Sequence, residues 1–145
     1  MLSIRTIEER ELHSLASLYS ELIDIPTDVT KMAQVFNTIK NNENYVVLGA
    51  FNGEELLGSL MGVVCLDLIG DCKPFMVIEN VIVSARARRQ GAGKQLMRHI
   101  EQVARDRNCW YMILVSGETR KEAHLFYERL GFKEERVQGY RKHLS

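Results

Sequence analysis

The stretch that most restricts the fold lies between Pro74 and Gly117. There the chain runs PFMVIENVIVS, then ARARRQGAGKQL, then a helical pattern, then WYMILVSG. PFMVIENVIVS is almost continuously apolar, as expected of a strand covered on both faces. Leu96, Met97, Ile100, Val103 and Ala104 recur at helical intervals up to about Arg107, and WYMILVSG reads as a second buried strand. A strand, a helix and a strand in that order form a βαβ unit, so the domain is built on a sheet flanked by helices.

The rest of the chain fits around that unit. Leu2 to Thr6 reads as a short strand. Leu12, Leu15, Leu18, Tyr19 and Leu22 form one apolar helical stripe, interrupted at Asp24–Asp28, and a second helix is expected from about Val29 to Lys40. NYVVLGAF and LLGSLMGVVCLDL read as paired strands, with Asn52-Gly53 as a type I′ hairpin turn. Thr119 with Glu122 forms a capping box ahead of a helix whose apolar face is Ala123, Phe126, Tyr127 and Leu130, and Gly131 stands where a helix C-terminal glycine belongs. FKEERVQGYRKHL is expected as a polar last strand near an edge. The order is β-α-α-β-β-β-α-β-α-β, an α/β fold with a mixed, mainly antiparallel sheet and helices on both faces. No repeat or Pro/Gly/Ser-rich linker interrupts residues 1–145, which are expected to form one domain.

Bulk properties exclude several functions. With 19 basic and 19 acidic residues the formal net charge is zero, which disfavours a nucleic-acid binder. The N-terminus MLSIRTIEERELHSL is too polar for a signal peptide, and no apolar run approaches a membrane span. Cys65, Cys72 and Cys109 are odd in number and contain no CxxC pair, so a reducing cytoplasm is the expected setting. His13, His99, His124 and His143 are scattered, and no metal site is expected.

ARARRQGAGKQL carries the chemistry. A Walker loop needs GxxxxGK followed by Ser or Thr, but Arg88 occupies the first glycine position and Gln95 follows Lys94. A dinucleotide fingerprint needs Gly or Ala where Leu96 stands. What remains is a strand end, glycines that permit a close turn, and a helix N-terminus whose unpaired amides and dipole favour an anion. Arg86, Arg88, Arg89, Lys94 and Arg98 add positive charge, and no acid occurs from Ala85 to Ile100. Spacing alone leaves two readings open: a pyrophosphate cradle, or a solvated basic helix start.

VIENVIVSARARRQGAGKQLMRHIEQVARDRNCWYMILVSG together with EAHLFYERLGF resembles the core of the GCN5-related N-acetyltransferases, the GNAT superfamily. That family's Gln/Arg-x-x-Gly-x-Gly/Ala signature is matched by Arg88, Gly91 and Gly93, and its late Tyr-x-x-x-Gly-Phe pattern by Tyr127, Gly131 and Phe132. The likeness covers about residues 75 to 133 in detail. It implies the acyl-CoA N-acyltransferase fold, with acetyl-CoA as cosubstrate. Its pyrophosphate would rest on the loop formed by Arg88, Arg89, Gln90, Gly91, Ala92, Gly93 and Lys94. Its pantetheine arm would lie along the backbone of Val81, Ile82 and Val83 as an added strand, between splayed strands VIENVIV and WYMILVS.

The same resemblance makes Tyr127 the general acid beside the CoA sulfur, where a core tyrosine would otherwise be expected. Glu79 is costly inside a strand unless paired or hydrated. It is either the base, acting directly or through water, or a cleft residue that binds substrate. Asn80 alternates to the opposite face from Glu79 and has a structural or bulge-related role. Arg120 stands where many relatives carry an asparagine; it either reaches a CoA phosphate, the favoured role, or simply sits at the helix start. His124 reads as a surface histidine. No motif pairs a cysteine with a histidine, so an acyl-cysteine route is rejected.

The leading function is acetyl transfer to the primary amine of a small molecule, by direct attack in a ternary complex. The alternatives are a protein lysine or N-terminal acceptor, and a non-catalytic acyl-CoA sensor; the presence of both Glu79 and Tyr127 argues against the sensor. The last strand leaves pairing across a homodimer open.

Overall fold

A computed structural model describes residues 1–115, 121–133 and 135–145, with residue 121 described by its backbone only. The chain divides into two compact units, Met1–Ile113 and Leu114–Ser145.

The first unit contains β1 (Leu2–Thr6), α1 (Leu12–Tyr19), α2 (Val29–Ile39), β2 (Tyr45–Asn52), β3 (Glu55–Cys65), β4 (Phe75–Val83) and α3 (Ala92–Asp106). β5 (Met112–Leu114) completes a five-stranded sheet in the order β1-β2-β3-β4-β5. The first three pairings are antiparallel. At the fourth, Trp110 N donates to Pro74 O and Met76 N to Tyr111 O, both at 3.0 Å. The two segments advance together, so β5 runs parallel to β4. The sheet is therefore mixed and mainly antiparallel, as expected. β5 is shorter than the apolar run WYMILVSG suggested, and Trp110 and Tyr111 ahead of it are exposed.

Asn52 pairs with Glu55, which makes Gly53 and Glu54 the two loop residues of the β2–β3 hairpin. Gly53 alone of the two has positive φ, 62°. That is the pattern of a type II′ turn, with glycine at the first central position, and it replaces the expected type I′ turn at Asn52-Gly53.

α3 seals one face of the sheet. Its buried Leu96, Met97, Ile100 and Ala104 lie on one stripe, as the helical spacing required. Glycines on β3 allow this contact. A Cβ on Gly62 would fall 2.8 Å from Ile100 Cδ1, and one on Gly58 would fall 3.3 Å from Leu96 Cδ1. On the opposite face Leu12, Leu15 and Leu18 of α1 pack with Ile7, Phe51, Leu56 and Ile82, joined by Phe36 of α2. α2 starts at Asp28, whose side chain accepts from Lys31 N at 3.1 Å.

A charged pair anchors the start of α1. Arg5 Nη1 donates to Glu11 Oε1 at 2.9 Å while Nη2 engages Oε2, a bidentate fork, and the guanidinium sits 3.8 Å above the Phe51 ring. The Arg5 fork, more than any other contact, holds the Glu11 carboxyl below its ordinary range.

The second unit contains α4 (Lys121–Arg129), which closes in a Schellman motif. Phe132 N donates to Tyr127 O at 3.1 Å, Gly131 N donates to Glu128 O at 3.1 Å, and Gly131 has φ 99°. The Phe132 and Tyr127 rings meet with centroids 6.2 Å apart, the apolar contact that accompanies this cap. The Tyr-x-x-x-Gly-Phe spacing is thus what this helix end requires. Residues 135–145 carry no strand, contrary to expectation. Val137, Tyr140 and Leu144 are spaced by three and four rather than by two, so they offer a sheet no apolar row, and all three are exposed.

Candidate active site

The site grows from an irregularity in β4. Ser59 pairs with Ile82 and Met61 with Glu79, so the single residue Leu60 between them faces two residues, Asn80 and Val81. This is a β-bulge, and Asn80 takes φ 56° within it. Asparagine tolerates that left-handed conformation because its short side chain can bond locally.

The bulge breaks the alternation from which opposite faces were expected for Glu79 and Asn80. Glu79 is in register with Met61, and Met61 with Val47, which packs against the α1 core. The Asn80 side chain interacts with the hydroxyl of Tyr19, at the end of α1. Both polar residues therefore serve the α1 side of the sheet. Burial raises the Tyr19 pKa, and the nearby Asn80 side chain pulls it the other way. Glu79 and Asn80 are exposed in the middle of a strand whose Ile78 and Ile82 are buried. Of the conditions expected for Glu79, hydration is the one met, and no ion pair to it occurs among the described residues.

Beyond the bulge, Ile82 and Val83 pair with β3, and the Ile82 side chain lies in the core beneath α1. Any role for Ile82 toward a ligand must therefore run through its main chain. β5 is three residues long and β4 nine, so β5 can pair with only part of that edge.

The loop after β4 is pinned by a residue the sequence reading missed. Glu21, just past α1, accepts from Ser84 Oγ at 3.0 Å and from Ala85 N at 2.9 Å. The Ala85 amide bond is the main reason its carboxyl is held below the ordinary range. No local pattern marks Glu21, because its partners lie more than sixty residues away. A 3-10 turn, Ala85–Ala87, follows, with Ala87 buried. Arg88 is extended, Arg89 has φ 69°, and Gly91 has φ 82° as the N-cap of α3.

Among the described residues no side chain caps α3, and its first turn holds no acid, so its first amides suit an anion. Arg88, Arg89, Gln90, Gly91 and Lys94 are exposed, Gly93 is half-buried, and Ala92 is buried and can offer only its N–H. Arg86 is turned away, donating to Glu55 Oε1 at 2.9 Å across the β2–β3 hairpin.

Tyr127 and His124 are half-buried on α4 in the second unit, where the Tyr127 ring packs edge-on against Phe126. Thr119 and Arg120 lie outside the described residues. Among the described residues no cluster has the composition of a metal site, and no helix is long and apolar enough to cross a membrane. A depression of about 290 Å³ lined by Ile69, Gly70, Asp71, Lys73 and Trp110 contains none of the expected site residues.

Comparison with known proteins places this geometry in a family. The family model described as "Acetyltransferase (GNAT) family" matches residues 10–132. Among solved structures, a putative acetyltransferase from Agrobacterium tumefaciens str. C58 is similar at 22% identity and a TM-score of 0.90, covering 97% of this chain and 99% of that one. A transcriptional regulator from Bacillus halodurans C-125 is 27% identical, with a TM-score of 0.87 over 99% of this chain and 100% of that one. AAC(6')-Iy, in complex with the bisubstrate analogue CoA-S-monomethyl-acetylneamine, is 22% identical, with a TM-score of 0.82 over 99% of each chain.

Proposed function

We propose that this chain, which belongs to the acetyltransferase (GNAT) family, moves an acetyl group from acetyl-CoA to the primary amine of a small molecule by direct attack in a ternary complex. One observation carries this reading: Glu79 is exposed in mid-strand beside the bulge, and the loop that leaves the same strand leads to the uncapped cationic start of α3.

The residues present fit acetyl-CoA. A pyrophosphate suits the free amides at the start of α3, with Arg88, Arg89 and Lys94 exposed around them and Gln90 and Gly93 in the same turn. The incomplete cover of β4 by β5 favours an added strand along Val81–Val83. When bound, acetyl-CoA supplies an activated thioester. The chain's own groups manage protons. An amine is mostly protonated at neutral pH and must lose a proton to attack, which Glu79 accepts directly or through water. The departing thiolate needs a proton, and the Tyr127 hydroxyl is the proposed donor. Arg120 is proposed at a CoA phosphate.

AAC(6')-Iy in complex with an analogue joining CoA to an amine supports a small-molecule acceptor. The three free cysteines support a reducing, cytoplasmic compartment. The test follows thiol release from acetyl-CoA over a panel of primary amines, for wild type, Glu79→Gln and Tyr127→Phe. Glu79→Gln is expected to remove the limb of the pH–rate profile on which the amine is deprotonated, and an unchanged profile places the base elsewhere. Tyr127→Phe is expected to lower kcat by about a hundredfold. Full turnover in that variant removes Tyr127 from the reaction.

A further inference from the structure

The two faces of the sheet are covered unequally. On the α3 side Leu60, Val64, Met76 and Ile78 are no more than 3% exposed. On the other side α1 seals only the hairpin end, through Phe51, Leu56 and Ile82. Away from that end, two cross-strand rows lie on the same face: Val47–Met61–Glu79 and Tyr45–Val63–Val77. Met61, Val63 and Val77 are half-buried and Tyr45 is exposed. The next residue of β4 on this face, Phe75, stacks on Tyr111 with ring centroids 5.2 Å apart and closes the floor with a flat aromatic wall. α2 joins the α1 core through Phe36, Met32 and Ala33. Three adjacent strands thus present a partly open, mainly apolar floor, whose two rows carry the Glu79 carboxylate and the Tyr45 hydroxyl at their ends.

We infer that this floor is the acceptor subsite and that the acceptor is a primary amine on an apolar body, aromatic or branched aliphatic, rather than a polyhydroxylated amine. The inference rests on the acetyl-transfer reading above and adds the substrate class to it. An ammonium group is the complement of an exposed carboxylate that lacks an ion pair among the described residues. Beyond it, Met61, Val63 and Val77 offer no side-chain hydrogen-bonding partner. A sugar laid on them would lose the hydration of most of its hydroxyl groups, with few partners to replace it, whereas a phenyl or isobutyl group gains by burial. The Phe75–Tyr111 stack suits a planar end group.

The experiment compares 2-phenylethylamine and isoamylamine with glucosamine, by thiol release from acetyl-CoA. The expected kcat/KM for the apolar amines is at least about tenfold higher. Val77→Thr and Met61→Gln are each expected to raise the KM for 2-phenylethylamine by about fivefold with no matching change in the KM for acetyl-CoA. Glucosamine turned over as well as the apolar amines, or variants with no effect on the amine KM, overturns the inference and leaves acetyl transfer standing.

If no amine releases thiol, it is the acetyl-transfer reading that fails. Equilibrium binding of 2-phenylethylamine to wild type and Val77→Thr then decides the floor separately: weaker binding by the variant supports it, and no binding by wild type overturns it. A wild-type dimer in solution that Val77→Asp converts to folded monomer also overturns it, since the floor is then an interface between two copies.

Discussion

At the residue scale, the bulge at Asn80 is where backbone strain and chemistry meet. A side chain at φ 56° is tolerated when it is asparagine or glycine and resisted when it is β-branched. Asn80→Val is expected to cost about 1–2 kcal/mol in urea unfolding, and Asn80→Gly less, because glycine keeps the bulge and loses only the side-chain interaction with Tyr19. Equal costs for the two would mean that the interaction with Tyr19, not the backbone, decides the position. Glu11 makes a pH prediction. Its folded pKa lies below its ordinary value of 4.5, so its stabilisation is full above that value and is lost as the pH falls through the depressed one. Glu11→Gln should therefore narrow the stability difference between pH 7 and pH 3. Because Arg5 keeps partial contact with water, the cost of the change at pH 7 is about 1–3 kcal/mol. A variant with the same acid sensitivity as wild type would contradict this assignment.

At the scale of elements, α3 sits where it does because β3 has glycines beneath it. Gly62→Ala would press a methyl group against Ile100 and Met76, both fully buried, and should cost about 1–3 kcal/mol by chemical denaturation; no loss would mean that the helix can move outward freely. The β4–α3–β5 order was legible because its apolar runs and helical stripe are long and unambiguous. The start of α3 was legible because glycines and cations cluster there without an acid. Features set by contacts between distant segments were not. The hairpin turn moved by one residue because the β2–β3 register, not the Asn-Gly pair, selects the loop. Strict alternation failed at Asn80 because a bulge depends on the partner strand. Glu21 was invisible because the turn it pins is distant in sequence. The polar tail was assigned a strand on residue types, although its apolar residues lack the two-residue period.

At the scale of the whole molecule, a family fold carries a partly open, mainly apolar floor. The α1 side of the sheet gathers Glu79, the Asn80–Tyr19 pair and half-covered apolar rows, while the loop after β4 presents cations and free amides. Glu21 ties the end of α1 to that loop, so Glu21→Ala should weaken acetyl-CoA binding by a few-fold, about 1 kcal/mol, measured by calorimetry; unchanged affinity would show that the loop holds its shape without the carboxylate. Acetylation of a small amine is the proposal on which the site assignments depend. Its most direct measurement is thiol release from acetyl-CoA across the amine panel, with the acetylated amine identified by mass. Stoichiometric thiol and N-acetyl product are expected; tight acetyl-CoA binding with no thiol released by any amine would contradict acetyl transfer.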